Sequence, residues 1–307
     1  MKVIVTGATG FLGRPLVAAL RARGDSVTAL VRDPARAAKL DAAIVQADLE
    51  TPGPWQAALA GHDAIVHLAG EPLAGKRWDA RQKQIIRDSR VEATRTLVEG
   101  LARLELAVRP RILVSASGAD YYAYAPDTDD FDDDPVTEAD PPSDSFLGRL
   151  CRDWEREAMA APDTRVVTMR TGVVLAKGGG ALAKLVPAFK AFVGGRIGSG
   201  RQWFSWIHRD DAITAYLEAL DDARYAGPIN LVARSDRFAD FAKALGKSLH
   251  RPSVFPLPAF AVKAMIGEMA ETLLHGRNVV PARLAELGFV FTHPVLEAAL
   301  AELQSSS

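Results

Sequence analysis

Cysteine is almost absent from this chain of 307 residues, with Cys151 the only one. A lone thiol excludes an internal disulfide and any cysteine-based zinc cage, and no metal site is expected. Charge of one sign is missing too: 37 Lys and Arg stand against 38 Asp and Glu, a net charge of −1. Such a balance gives no overall field to draw the chain to nucleic acid or anionic lipid, so neither nucleic acid nor membrane is expected as a partner. No apolar stretch approaches the ~20 residues that a membrane-spanning helix needs. The N-terminus opens on a strand-like run rather than a charged segment followed by an apolar one. No signal peptide is therefore expected, and the expected compartment is cytoplasmic. What the chain does have is 48% hydrophobic and 24% charged residues, the balance of a soluble globular protein with one large domain or two modest ones.

The first half alternates short apolar runs with helical patterns. Lys2 to Thr6, Val27 to Val31, Ala43 to Ala47, Ala64 to Leu68, Ile112 to Ser115 and Val166 to Met169 read as buried strands. Between them, Leu12, Leu16, Ala19 and Leu20 recur on one helix face, as do Val91, Leu97, Leu101 and Leu104. Apolar strands alternating with helices predict a parallel sheet covered on both faces, a Rossmann-type doubly wound α/β fold. After Thr171 the regularity breaks at Gly178-Gly179-Gly180, Gly194-Gly195 and Gly198-Ser199-Gly200. Residues 259–303 read as mostly helical, with Pro281 opening one helix and Gly288 closing it. The expected division is residues 1–172, plus about 207–232, as a cofactor-binding domain. Residues 173–206 and 233–307 then form a smaller, mostly helical C-terminal lobe. Asp127 to Asp134 is an acidic run bordered by Pro126 and Pro135, read as a solvated loop.

The strongest chemical signal is Gly7-Ala8-Thr9-Gly10-Phe11-Leu12-Gly13, between the first strand and the first helix. Glycines spaced by three allow a tight turn, close approach of backbone to a pyrophosphate, and packing of helix on sheet. The helix N-terminus then offers free N–H groups to the phosphates. At the end of the second strand, an NAD site wants a carboxylate for the ribose 2′-hydroxyl. Val31 stands there and Arg32 follows, and a guanidinium matches a 2′-phosphate. NADP(H) is the expected cofactor, with NAD(H) the lesser option if Asp33 takes the acid's place. Asp48 and Leu49 fall where the adenine would lie. Leu68, Ala69 and Gly70, after His67, fall beneath the pyrophosphate and nicotinamide ribose. Glu71, Lys76 and Arg77 follow at the same end, where they either contact cofactor or substrate or are solvated loop residues.

These segments resemble the extended short-chain dehydrogenase/reductase superfamily of nucleotide-sugar epimerases, dehydratases and reductases. More narrowly, the chain looks like an epimerase-like family of atypical members with a C-terminal domain of unknown function, here about residues 250–298. The likeness rests on His67-Leu68-Ala69-Gly70-Glu71-Pro72-Leu73-Ala74-Gly75 with Arg77-Trp78, Ser89-Arg90, Ser115-Ala116-Ser117 and Arg170-Thr171-Gly172. Gly198-Ser199-Gly200-Arg201-Gln202-Trp203 and Ser205-Trp206-Ile207-His208 extend it, with Leu249-His250-Arg251-Pro252 and Gly267-Glu268 further on. The superfamily's catalysis uses a Ser or Thr, a Tyr, and a Lys four residues after the Tyr. The lysine charge lowers the tyrosine pKa. Ser117 matches the serine. The five tyrosines are followed at +4 by Ala125, Pro126, Thr128, Leu220 and Ile229, so no Tyr-x-x-x-Lys exists. Phe146 and Leu150 occupy the expected place.

Tyr121 and Tyr122, just after Ser117, are therefore candidate proton donors, or else pack the strand end. His208, before Asp210-Asp211, is either an acid/base or a fixed structural histidine. Cys151 sits in a helical pattern without an activating base and reads as inert. Trp203, Phe204 and Trp206 beside Arg201 either wall a substrate site or pack the core. Two functions follow: an NADP-dependent oxidoreductase or epimerase with an altered proton donor acting on a small molecule, or a non-catalytic NADP(H)-binding sensor or structural protein. Oligomeric state is left open, with a homodimer among the options.

Overall fold

The computed structural model describes residues 1–122 and 133–305. The acidic run expected as a loop lies outside them except for Asp133 and Asp134. The chain opens with β1 (Lys2–Thr6), α1 (Gly13–Ala22), β2 (Ser26–Val31), β3 (Ala43–Gln46) and β4 (Ala64–His67). Next come α2 (Ala80–Asp88), α3 (Val91–Ala102), β5 (Ile112–Gly118), β6 (Pro135–Val136), α4 (Phe146–Met159) and β7 (Arg165–Thr171). The middle holds β8 (Val173–Leu175), α5 (Gly180–Lys190), β9 (Trp203–His208), α6 (Arg209–Asp221), β10 (Gly227–Leu231), β11 (Arg234–Arg237) and α7 (Phe238–Ser248). The C-terminal part consists of α8 (Ala259–Ile266), α9 (Glu271–Leu274), β12 (Asn278–Val279), α10 (Ala282–Leu287) and α11 (Leu296–Ser305).

Seven strands pair in the order β10-β7-β5-β4-β1-β2-β3, every neighbour parallel. This is the doubly wound Rossmann-type sheet. Alternation sends Val3 and Val5 to one face, packed with Leu16, Leu20 and Tyr216 of α1 and α6. Ile4 and Ile65 go to the other, with Leu97, Leu101 and Ala158 of α3 and α4. From β1 the chain builds first toward β3 and then, from β4 onward, to the opposite side. That reversal opens a crevice at the carboxyl ends of β1 and β4.

A second core holds the other lobe together. Its small sheet, β11-β9-β8, carries Phe204 and Trp206 inward against Phe238 and Phe241 of α7 and Leu300 of α11. The sequence pattern of this part reads as mostly helical, and the sheet escapes it because its strands are only three to six residues long, with β8 and β9 set apart by glycine-rich segments.

A buried ion pair ties the sheet to its surroundings. Arg170 of β7 grips Glu155 of α4 at both oxygens (Nε–Oε1 2.9 Å, Nη2–Oε2 2.8 Å), with the two side chains only 4% and 10% exposed. The Glu155 Oε1 also accepts from Ser117 Oγ of β5 at 2.7 Å. The Arg170 Nη1 donates to Tyr122 Oη at 2.5 Å and to the Glu138 carbonyl, and Tyr122 Oη donates to Asn230 Oδ1 of β10 at 2.8 Å. Burial alone would lower the Arg170 pKa, but the bidentate carboxylate holds it above its ordinary value.

Breaking one half of this pair strands a buried charge. Arg170→Met is expected to lower unfolding free energy by about 3–5 kcal/mol, read from urea titration, while Glu155→Met added to it restores part of the loss. An Arg170→Met chain as stable as wild type would show that the pair does not hold the fold.

Candidate functional site

The crevice at the ends of β1 and β4 is a cleft of about 350 Å³. Its floor is the glycine turn, where Gly10 N–H donates to the Gly7 carbonyl at 2.9 Å. Gly7 has φ +65°, and a Cβ there would stand 2.7 Å from the Leu68 carbonyl carbon. A Cβ on Gly13 would stand 2.2 Å from the Gly7 oxygen, so this glycine seats α1 on the turn. No side chain caps α1 and its first turn holds no acid, leaving its N-terminus to an outside anion.

Of the expected cofactor residues, Gly7, Thr9, Gly10, Arg32, Leu49, Leu68, Ala69, Gly70 and Glu71 line this cleft. Five others lie elsewhere. Leu12 and Gly13 pack under the turn, and Phe11 lies against Gly179 and Gly180 ahead of α5. Asp48 accepts from the Glu50 N–H, and Arg77 is turned onto Gly267 of the C-terminal module. Arg36, which the sequence reading passed over, joins the lining from the short turn after β2. Arg14 holds that turn by donating to the Arg36 and Thr9 carbonyls. Arg32 is exposed and pairs with Glu50 at 3.1 Å. Asp33 also lines the cleft, and its Oδ1 accepts from Ala35 N–H, capping the turn.

The cleft's far wall is fixed by a proton-ordered chain. Thr94 Oγ1 donates to the Arg90 carbonyl, so its single proton is spent and His67 Nε2 must donate to it at 3.0 Å. His67 Nδ1 then accepts from Thr6 Oγ1 at 2.7 Å. Thr6 Oγ1 in turn accepts from the N–H groups of Leu68 and Ala69. Every member of the chain is satisfied, and burial pushes His67 down to about 4, keeping the ring neutral.

The expected proton donors are spent in bonds of their own. Ser117 donates to Glu155, and the buried Tyr122 donates to Asn230. Tyr121 has its ring face covered by the Arg170 guanidinium, 3.5 Å above the centroid. Burial raises the pKa of both phenols. At the place of the missing pair, Phe146 makes an edge contact with Trp78 and Leu150 is buried with Ile86, Val91 and Trp154. Burial pushes the neighbouring Cys151 thiol up to about 12, which makes it inert. Trp206 and Phe204 belong to the second core, whereas Trp203 and Phe204 also edge a smaller cavity.

That cavity, of about 150 Å³, lies between the ends of β5 and β7 and the second lobe. Asp120 lines it, together with Thr171, Gln202, Ser205, His275 and Arg277. The Asp120 carboxyl lies beside Gly118 of β5, where Cys151 of α4 also approaches, and burial pushes it up to about 6 against the pull of its own N–H and of Arg90. Arg90 also abuts Gly70, where a Cβ would come within 3.1 Å of its guanidinium carbon. One half-buried cation thus lies between the cleft and the cavity's acid. Asp120 was missed in the sequence; its only signal is an acid directly after the small residues Ser115 to Ala119.

His208 lines neither space. It caps α6 by accepting from Asp210 N–H at its Nδ1, stacks on His293 at 3.8 Å, and faces Glu302 Oε2 at 3.2 Å. Burial, then His293, lowers its pKa. These three side chains come within metal-ligating distance of one another. With Nδ1 accepting, however, the neutral ring carries its proton on Nε2, and a metal there would need an imidazolate. The trio therefore reads as a clamp between α6 and α11.

The doubly wound sheet, the glycine turn and the crevice define a dinucleotide-binding protein of the short-chain dehydrogenase/reductase type. The chain belongs to the NAD dependent epimerase/dehydratase family, whose model matches residues 3–231, and a domain of unknown function matches residues 257–303. It is 41% identical to the epimerase family protein SDR39U1 homolog, chloroplastic, of Arabidopsis thaliana, over 98% of this chain and 86% of that one. It is 36% identical to the human epimerase family protein SDR39U1, over 99% of both. A crystal structure of human SDR39U1 with NADPH superposes at TM-score 0.83, 33% identity and full coverage of both chains. MoeE5 with UDP-glucuronic acid and NAD, 22% identical at TM-score 0.76 over 99% of this chain and 98% of that one, shares the fold. Among the described residues no helix is long and apolar enough to cross a membrane.

His67 sets a pH dependence whose sign is fixed. The unfolded ring takes a proton near 6.5 and the folded one only near 4, so between these values the unfolded state binds more protons and stability falls as pH falls. The full effect is about 3 kcal/mol. The raised Asp120 works in the opposite sense between 4 and 6. Comparing unfolding free energies of wild type and His67→Gln at pH 7 and pH 4 isolates the histidine: the variant should lose markedly less on acidification. Equal losses would mean that His67 is not buried neutral.

Proposed function

We propose that this protein is an NADP(H)-binding, nucleotide-sugar-epimerase-like oxidoreductase that works without a tyrosine–lysine pair. The single observation that carries the reading is the cleft: an uncapped helix end behind a glycine turn, with Arg32 and Arg36 where a carboxylate would select NAD. The NADPH in the human relative supports the same choice. In this reading residues 1–172 and about 207–232 hold the dinucleotide, and the remainder covers the substrate. The glycine turn and α1 hold the pyrophosphate, Arg32 and Arg36 the 2′-phosphate, and Leu68 to Gly70 the ribose beyond it. The bound dinucleotide supplies the hydride acceptor or donor. Asp120, poised near 6 in the adjoining cavity, holds the proton that accompanies hydride at a substrate oxygen. The second reading, a sensor that binds NADP(H) without turnover, draws on the apolar filling at Phe146 and Leu150.

Two measurements test these assignments. Arg32→Ala with Arg36→Ala is expected to weaken NADPH about 10- to 150-fold in titration calorimetry, with NADH little changed. Equal losses for both dinucleotides would remove the 2′-phosphate argument.

For the chemistry, nucleotide released from protein purified without added cofactor identifies the natural ligand, and a carbonyl and sugar-nucleotide screen at the nicotinamide absorbance seeks the substrate. Asp120→Asn should then cut the rate about 10²–10⁴-fold without weakening NADPH binding. An undiminished rate would take Asp120 out of the reaction, and bound NADPH without any turnover across the screen would favour the sensor.

A further inference from the structure

The near-zero net charge hides a segregation. Residues 164–209 and 241–267 contain twelve Lys and Arg and not one Asp or Glu. The two stretches meet in space. Gly195 bridges Val254, Ile197 bridges Leu257, and the Arg251 guanidinium lies 4.6 Å over the Phe192 ring. α8 follows directly, turning Val262 into the second core and leaving Phe260 and Met265 outside. The surface so formed is apolar to an unusual degree. Phe260 is 77% exposed, Val254 and Met265 70%, Val193 60%, Phe255 53% and Phe192 52%. Large side chains of this kind rarely protrude together from a soluble surface without a partner. Lys184, Lys190, Arg196 and Lys247 are exposed on the same stretches, and Lys263 on α8 pairs with Glu271 at 2.9 Å.

We infer that this face docks on the surface of an anionic lipid bilayer. Aromatic and aliphatic side chains projecting among lysines, from loops and a short helix, suit the headgroup boundary, where the apolar groups enter and the cations remain with the phosphates. Each basic residue near such a surface adds attraction, and no carboxylate within these stretches opposes it. A second copy of the chain fits less well, because a two-fold contact would press two stretches rich in Lys and Arg and lacking Asp and Glu against each other. A nucleic acid would leave the protruding Phe and Met side chains against phosphate. The expectation of no membrane partner came from net charge and from the lack of a spanning apolar stretch, and neither reports where the charge lies. Docking here involves no spanning segment, in keeping with the helices described.

Flotation of the full chain with unilamellar vesicles tests the inference. Vesicles of phosphatidylcholine containing one-third phosphatidylglycerol should carry the protein at low salt, phosphatidylcholine alone should not, and salt near ~1 M, where the Debye length is about 3 Å, should release it. Lys184→Gln and Lys190→Gln should each lower partitioning about fivefold. Phe192→Asp with Phe260→Asp should abolish it while NADPH affinity and the circular dichroism spectrum stay unchanged, which separates loss of docking from misfolding and from failure of the cofactor reading. Three results would overturn the proposal: no binding to anionic vesicles, equal binding to both lipids, or capture by single-stranded RNA in place of vesicles. A dimer in light scattering that Phe260→Asp dissociates would also overturn it, by assigning the face to a second copy.

Discussion

The structure depends on the buried pair of Arg170 and Glu155. It joins β7 to α4 directly, reaches β5 through Ser117, and reaches β10 through Tyr122 and Asn230. Asn230 continues the connection to the C-terminal part, donating to the Val280 carbonyl. The pair also engages two of the hydroxyls expected to move protons. A serine and a tyrosine standing where the family resemblance expects proton transfer are converted to structural donors, because each hydroxyl proton already has an acceptor. A buried network of this kind rigidifies only while fully satisfied, which gives Ser117 and Tyr122 a structural reason to be there.

The cleft is organised by a different chain, through Thr6, His67 and Thr94, and the two share no member. One fixes the end of β4 where a dinucleotide backbone would pass; the other fixes the ends of β5 and β7 beside the second lobe. This separation puts the cleft and the adjoining cavity on independent supports. It also lets the glycine turn follow the usual pattern while α4 departs from it at Phe146 and Leu150.

Much of the fold was legible because its periodicity is strong. Six apolar runs announced six of the seven parallel strands, and Pro281 and Gly288 bracket α10 as expected. The seventh strand, β10, begins Gly227-Pro228, a pair that reads as a turn, and only pairing with β7 makes it a strand. The small sheet was hidden for the same reason: its order comes from long-range pairing between short segments. At the site, the residues carried by backbone geometry were readable, since glycine spacing fixes a turn wherever it occurs. Residues whose role comes from burial were not. Nothing in the string Ser117-Gly118-Ala119-Asp120 separates a solvated acid from one desolvated against α4, and nothing near Asp48 or Arg77 says which way each side chain turns.

Arg90 is the element through which the two supports can nonetheless communicate. It is half-buried, desolvation lowers its own pKa, and it stands against Gly70 on the cleft side while stabilising the Asp120 carboxylate on the other. A guanidinium stays charged through any ordinary shift, so its influence changes only when other charges approach. The negative charge of an anionic ligand seated against Arg90 in the cleft would oppose the Arg90 potential felt at Asp120, raising further an acid that burial already pushes up to about 6. By linkage, protonating Asp120 would favour the anion in return. The acid would then be protonated preferentially when the cleft is filled, the state in which a proton donor is needed. A tyrosine made acidic by lysine meets the same requirement from the other direction, by lowering a high pKa. Here burial lifts a low one, and the cation that restrains it is also a wall of the cleft.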